Sequence, residues 1–178
     1  MRLACILMFT LLISGCVNRD EIYANPPAKL TESINAILPA ATEYVKQQEK
    51  IARAKGQPLN EQALAIAKRI GIQHPEKVHV YYSNTLPFPT DPTLAQLAKK
   101  SGYAGPNMAG YTYGYGIWIK NKERDNRKLL AHELIHVRQF EQRGVQEQIR
   151  QYLMQIYIYG YNSTPLEIEA YREAKNYI

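Results

Sequence analysis

Leu129-Leu130-Ala131-His132-Glu133-Leu134-Ile135-His136-Val137-Arg138-Gln139-Phe140 is the stretch on which the reading of this 178-residue chain turns. Leu129, Leu130, Leu134 and Val137 recur at helical spacing and give the segment a buried side. At 3.6 residues per turn, His132 and His136 stand one turn apart, about 40° from eclipsed, so both imidazoles reach one ion. Glu133 lies about 100° round the helix. It is too close to the first histidine to join the same tetrahedron comfortably, yet well placed to touch a water on the ion. Zinc suits imidazole and carboxylate donors, and a site that does chemistry keeps its fourth position for water. The ion brings the pKa of that water towards neutrality, and Glu133 can take its proton and pass it to a leaving amine.

Outward from this helix the pattern is mixed. Asn126 or Asp125 should cap it and Gly144 should end it. Val145 to Tyr159 reads as a further helix with a buried stripe of Ile149, Leu153, Ile156 and Tyr157, and Thr164-Pro165 opens a last one. On the other side, residues 108–120, MAGYTYGYGIWIK, are aromatic, β-branched and glycine-punctuated, which predicts one bent strand or a tight hairpin. A short helix is expected over Thr93 to Lys100. Val78, Val80 and Tyr82 alternate with His79 and Tyr81, a strand pattern. Asn60 should cap a helix through Ile70 that Gly71 stops. Thr31 to Lys55 has helical spacing up to Gly56, with Pro39 expected to kink or split it. The fold class predicted is α+β, mostly helical with one small sheet beside the His-Glu helix, in a single domain over residues 31–178.

Composition narrows the function classes. With 46% hydrophobic and 21% charged residues the chain is ordinary globular material, and two cysteines build neither a disulfide scaffold nor a four-cysteine zinc cage. Lys and Arg total 22 against 16 Asp and Glu, a formal charge of +6 that no stretch gathers into a basic stripe. Such a surface suits anionic lipid or polymer, and no nucleic-acid partner is expected.

Residues 1–16, MRLACILMFTLLISGC, carry Arg2, an apolar run too short to span a bilayer, and the small pair Ser14-Gly15. Ile13-Ser14-Gly15-Cys16 resembles the lipobox of bacterial lipoproteins. The resemblance implies a signal peptide over residues 1–15, cleavage before Cys16 and acylation of that cysteine, which gives stable membrane attachment. Val17, not Asp, follows the cysteine, and by resemblance to the usual sorting pattern this favours the outer membrane, with the domain facing the periplasm. Residues 16–30, polar and containing Pro26-Pro27, are expected to be a lipidated tether.

The stretch from Lys77 to Phe140 also resembles the zinc-metallopeptidase domain found near extracellular contractile injection systems. The likeness rests on Val78-His79-Val80, Leu94 to Lys100, Gly114 to Ile117 and the run Leu129 to Gln139. It implies a zincin-like fold and a metal-dependent hydrolase acting on a peptide or protein, with one zinc ion on His132 and His136 and Glu133 as general base. The lipid anchor, the long N-terminal helices and the extra C-terminal helices depart from that pattern, so no substrate carries over.

A third ligand is expected downstream. Leu166-Glu167-Ile168-Glu169-Ala170 resembles the Glu-x-Glu-Ala-Asp segment of membrane-associated zinc peptidases, whose first Glu binds metal, although Tyr171 stands here in place of the Asp. Glu167 and Glu169 point about 200° apart on a helix, and small Ala170 shares a face with Glu167. Glu167 is therefore favoured and Glu169 is the alternate, while a capping box on Thr164 would give Glu167 a purely local role. In zincins an edge strand before the metal helix pairs with extended peptide. Tyr113, Tyr115 and Ile117 are thus candidate substrate-binding residues, with cross-strand packing as the other reading. Tyr157, Tyr159 or Tyr161 could donate to an oxyanion. His74 and His79 read as surface residues. The alternative to an enzyme is a catalytically idle zinc-binding lipoprotein that serves as an envelope binding module.

Overall fold

The computed structural model describes residues 18–103, 105 and 107–177; the expected signal peptide and the expected lipidation site at Cys16 lie outside the described residues. Among the described residues, seven α-helices pack around a four-stranded sheet: α1 (Arg19–Ala24), α2 (Ala28–Lys55), β1 (Gln57–Pro58), α3 (Glu61–Ile70), β2 (His79–Ser83), α4 (Pro92–Ser101), β3 (Gly110–Tyr113), β4 (Gly116–Lys120), α5 (Arg127–Arg143), α6 (Val145–Tyr159) and α7 (Pro165–Ala174). The class is α+β, as expected. Among the described residues no helix is long and apolar enough to cross a membrane.

The sheet order is β1-β2-β4-β3, with β2 and β4 parallel and both outer pairs antiparallel. Helices cover both faces. Val78, Val80, Ile117 and Ile119 pack with α3, α5 and α7 through residues such as Ala67, Leu134, Ile135 and Ala170. Tyr111, Tyr113 and Trp118 face α2, α4 and α6, against Ile34, Leu38, Leu94 and Leu153. The period of two along β4 assigns alternate side chains to two separate cores.

Residues 108–120 form the hairpin rather than one bent strand, so of the residues expected on an edge strand Tyr113 lies on one, in β3, while Ile117 lies on β4. The edges are β1 and β3, and β4 lies between β2 and β3. The reason is legible afterwards: Ile117, Trp118 and Ile119 are all buried, a run that suits an interior strand with both faces covered.

Three further expectations change. The tether is helical over Arg19–Ala24, because Asn18 Oδ1 accepts from the Asp20 amide and Tyr23 packs edge-on against Tyr159 at 5.9 Å. Helix α2 then starts at Ala28, three residues before Thr31, and runs unbroken through Pro39. Pro39 and Asn35, whose carbonyl loses its helical donor, are both exposed, so that carbonyl is open to hydrogen bonding by solvent. Tyr157 is 56% exposed and leaves the α6 stripe to Ile149, Leu153 and Ile156. The local signals elsewhere hold: Asn60 and Asn126 accept from the Ala63 and Leu129 amides, and Gly71 closes α3 in the left-handed region at φ 93°.

Candidate metal centre

Helix α5 is anchored by its apolar side. Ala131, Leu134, Ile135 and Val137 are fully buried, which turns His132 and His136 towards α7. Helix α7 begins at a Thr164 cap, whose Oγ1 accepts from the Glu167 amide, and its Leu166 amide donates to Gln155 Oε1 on α6. The Glu167 side chain does not close a capping box. It reaches across to α5, where His132, His136 and Glu167 are 5%, 8% and 2% exposed.

Two imidazole nitrogens and both oxygens of one carboxylate converge there. His132 Nε2 and His136 Nε2 are 3.1 Å apart, Glu167 Oε2 is 3.2 Å from His132 Nε2, and Glu167 Oε1 is 3.3 Å from His136 Nε2. An ion with tetrahedral bonds of about 2.0–2.1 Å sets its ligands about 3.3 Å apart, and each imidazole stands at about that distance from the other and from one oxygen of Glu167. Glu167 Oε2 makes no hydrogen bond with any described residue despite being buried. A buried carboxylate oxygen without a donor, beside two imidazole nitrogens, is an arrangement that a cation completes. The group can hold a metal ion.

The surrounding residues orient these donors. Gln139 Nε2 donates to the Leu166 carbonyl at 3.2 Å and to Glu169 Oε2 at 3.1 Å, which directs its Oε1 to His136. His136 Nδ1 donates to that oxygen at 2.8 Å, leaving Nε2 to face the other ligands. The Tyr152 hydroxyl donates to Glu167 Oε1 at 2.6 Å. Gln139→Leu is expected to weaken metal affinity by about 10- to 100-fold, the usual effect of losing such a partner. Competition against a fluorescent chelator measures it, and unchanged affinity would show that Gln139 serves only to join α5 to α7.

Charge is balanced internally. Burial alone would lower the pKa of His136, but the Glu167 carboxylate, by its charge and hydrogen bond, outweighs that and raises it to about 9. Burial likewise favours neutral Glu167, and the two histidines overcome it, holding its pKa well below the usual carboxylate range. The metal-free site therefore carries a proton on His136 at neutral pH, in the space a cation would take. Metal uptake at pH 7 is expected to release about one proton, and apparent affinity should rise about tenfold per pH unit up to about 9, then level off. Titration calorimetry in buffers of different ionisation enthalpy counts that proton. A count of zero at pH 7 would mean the metal does not displace it.

Glu133, 3% exposed, lies apart from the three ligands. Thr112 on β3 donates to its Oε2 at 2.6 Å. Gly110 makes room for it, since a Cβ there would stand 2.8 Å from Glu133 Oε1 and 3.0 Å from the Trp118 carbonyl. Burial raises the Glu133 pKa, against the lowering effects of His132, His136 and Thr112. A carboxylate so placed is suited to hold and return a proton.

The other candidates separate clearly. Glu169, the alternate ligand, is paired with Arg138 at 2.7 Å and Gln139, away from the donor atoms. Tyr113 lines the cavity beside the site, whereas Ile117 is sealed in the α3/α5/α7 core, and the Tyr115 hydroxyl donates to Glu141, so the latter two are corrected from substrate-binding to structural positions. Tyr159 donates to Asp20, and Tyr157 faces solvent, which leaves Tyr161, lining the cavity, from that trio. His79 and His74 lie outside the cluster, as expected. Sequence reading missed Thr112, Tyr152 and the Tyr171 ring, 4.3 Å from that of His132. Only Tyr171 left a signal, four residues after Glu167 and so on the same helical face.

No protein-family model matches this chain, and no curated protein or solved structure matches it either.

Proposed function

We propose that the chain is a zinc-dependent metallopeptidase of the bacterial cell envelope, zincin-like in fold, hydrolysing bonds of a peptide or protein substrate. The observation that carries this reading is the convergence of two imidazoles and one carboxylate at 3.1–3.3 Å with a separate buried carboxylate, Glu133, on the same helix as the imidazoles. Two His and one Glu are a donor set that zinc takes in hydrolytic centres with an open position. Zinc, when bound, supplies a Lewis acid and acidifies water. Glu133 accepts the proton of the attacking water and delivers it to the leaving amine, and its raised pKa suits both halves of that transfer. Thr112 holds the carboxylate in place throughout. Tyr161, at the cavity wall, is the tyrosine that would offer a hydroxyl to substrate.

The test is cleavage of unfolded casein and a peptide library by the full chain with one equivalent of zinc. Turnover that a chelator removes and zinc restores is the expected result. Persistent inactivity with zinc bound would favour the idle binding module, a reading that near-complete burial of all four site residues also suits.

The lipobox-like Ile13 to Cys16 supports a lipid anchor, and Val17 after it favours the outer membrane, with the domain facing the periplasm. Cys16→Ser is expected to move the protein from the membrane to the soluble fraction with unchanged zinc content. Sedimentation of the variant with outer membranes after a high-salt wash would remove the anchor.

A further inference from the structure

A cavity of about 120 Å³ opens beside Glu133, His136 and Glu167. We propose that it is a specificity pocket that takes one neutral, Leu- to Phe-sized side chain of the substrate. This deepens the metallopeptidase reading and rests on it. Protein interiors rarely leave voids much larger than a water molecule, so a space of this size next to buried acid–base groups is not ordinary packing slack.

Size and lining define the occupant. An apolar cavity of roughly 150 Å³ accepts benzene, so this one matches a single ring or a branched aliphatic group and not an indole or a folded chain. Its walls come from α2 (Ala41, Val45), α4 (Leu94, Ala98) and α6 (Ile149, Leu153). Tyrosines add to them, and most of their hydroxyls are engaged within the protein: Tyr103 with Tyr113 at 2.7 Å, Tyr44 with Tyr113 at 3.3 Å, Tyr111 with the Tyr103 carbonyl, and Tyr152 with Glu167.

Charge completes the case. No Lys, Arg or Asp lines the cavity. An acidic side chain seated among the apolar walls would face the Glu133 carboxylate, and no Lys or Arg stands there to pair it once His136 and Glu167 are taken up by the metal. A basic one would lose its hydration while Glu133 is held by Thr112 and Glu167 by the histidines and Tyr152. Only a neutral side chain enters without an unpaired charge.

The experiment reads binding and not turnover. Zinc-loaded protein is titrated with five hydroxamates that share one metal-chelating head: acetohydroxamate, isocaproic and phenylpropano hydroxamates, and the charged succinic and aminocaproic hydroxamates. The two bulky neutral tails are expected to bind about 10- to 100-fold tighter than acetohydroxamate, and the charged tails no tighter than it. Ala98→Leu should reduce the advantage of the phenyl tail below about threefold, and Leu153→Ala should shift preference towards it over the isocaproic tail. The two variants change the volume in opposite directions, so a folding defect in one leaves the other as the test.

Five affinities within about threefold of one another, a charged tail binding tightest, or tail preference unmoved by either volume change would overturn the pocket while the metal reading stands. Failure of zinc or of every hydroxamate to bind would overturn both.

Discussion

Glu133→Gln is expected to keep one equivalent of zinc and lose about 10²–10⁴ of its turnover, the usual contribution of positioned proton transfer. The amide preserves shape, and Thr112 can still donate to its oxygen, so the packing around Gly110 is undisturbed. What disappears is the capacity to hold a proton. The retained zinc follows from the geometry, because the converging donor atoms belong to His132, His136 and Glu167 and not to Glu133. His136→Ala provides the contrast, since it removes a donor and should abolish both zinc and activity. Metal analysis beside kcat on the same samples separates the roles. Equal activity in Glu133→Gln and the parent would remove Glu133 from the mechanism, and zinc loss from Glu133→Gln would make it a ligand or a support for one.

Local chemistry made much of this molecule legible before its structure. Asn60, Asn126 and Thr164 announce helix starts because their side chains accept from amides three residues on. The pairing of His132 with His136 followed from the 100° step of a helix, and Glu167 was favoured by the resemblance of its segment together with the face it shares with Ala170. What stayed hidden depends on contacts between distant residues. Strand β1 is two residues long and exists because Gln57 and Pro58 meet Val80 and His79. Helix α1 is capped locally, but Tyr159, 139 residues on from Asp20, holds it in place. Tyr152 and Thr112 touch the site from α6 and β3 with no spacing that ties them to it. Ile117 was misplaced on an edge strand for the same reason, since strand order is a property of the assembled core.

Glu167→Ala is expected to lower zinc affinity by more than about a hundredfold, beyond what loss of an outer partner causes. The carboxylate touches both imidazoles, at 3.2 Å and 3.3 Å, so its removal opens one corner of the site and leaves His136 without the charge that raises its pKa. Tyr152 also loses its acceptor in the interior, which adds a stability cost of about 1–3 kcal/mol. Glu169→Ala supplies the comparison on the same helix. It removes one of two carboxylates on Arg138, and Glu173 remains at 2.8 Å, so stability should fall by only about 1 kcal/mol. Its one link to the metal runs through Gln139, which keeps the Leu166 carbonyl as an acceptor, so affinity should stay within about tenfold. Because the two variants delete the same group two residues apart, any general effect of losing an acidic side chain from α7 cancels between them. Metal titrations in the reverse order would place Glu169 on the ion and return Glu167 to the helix start as a cap.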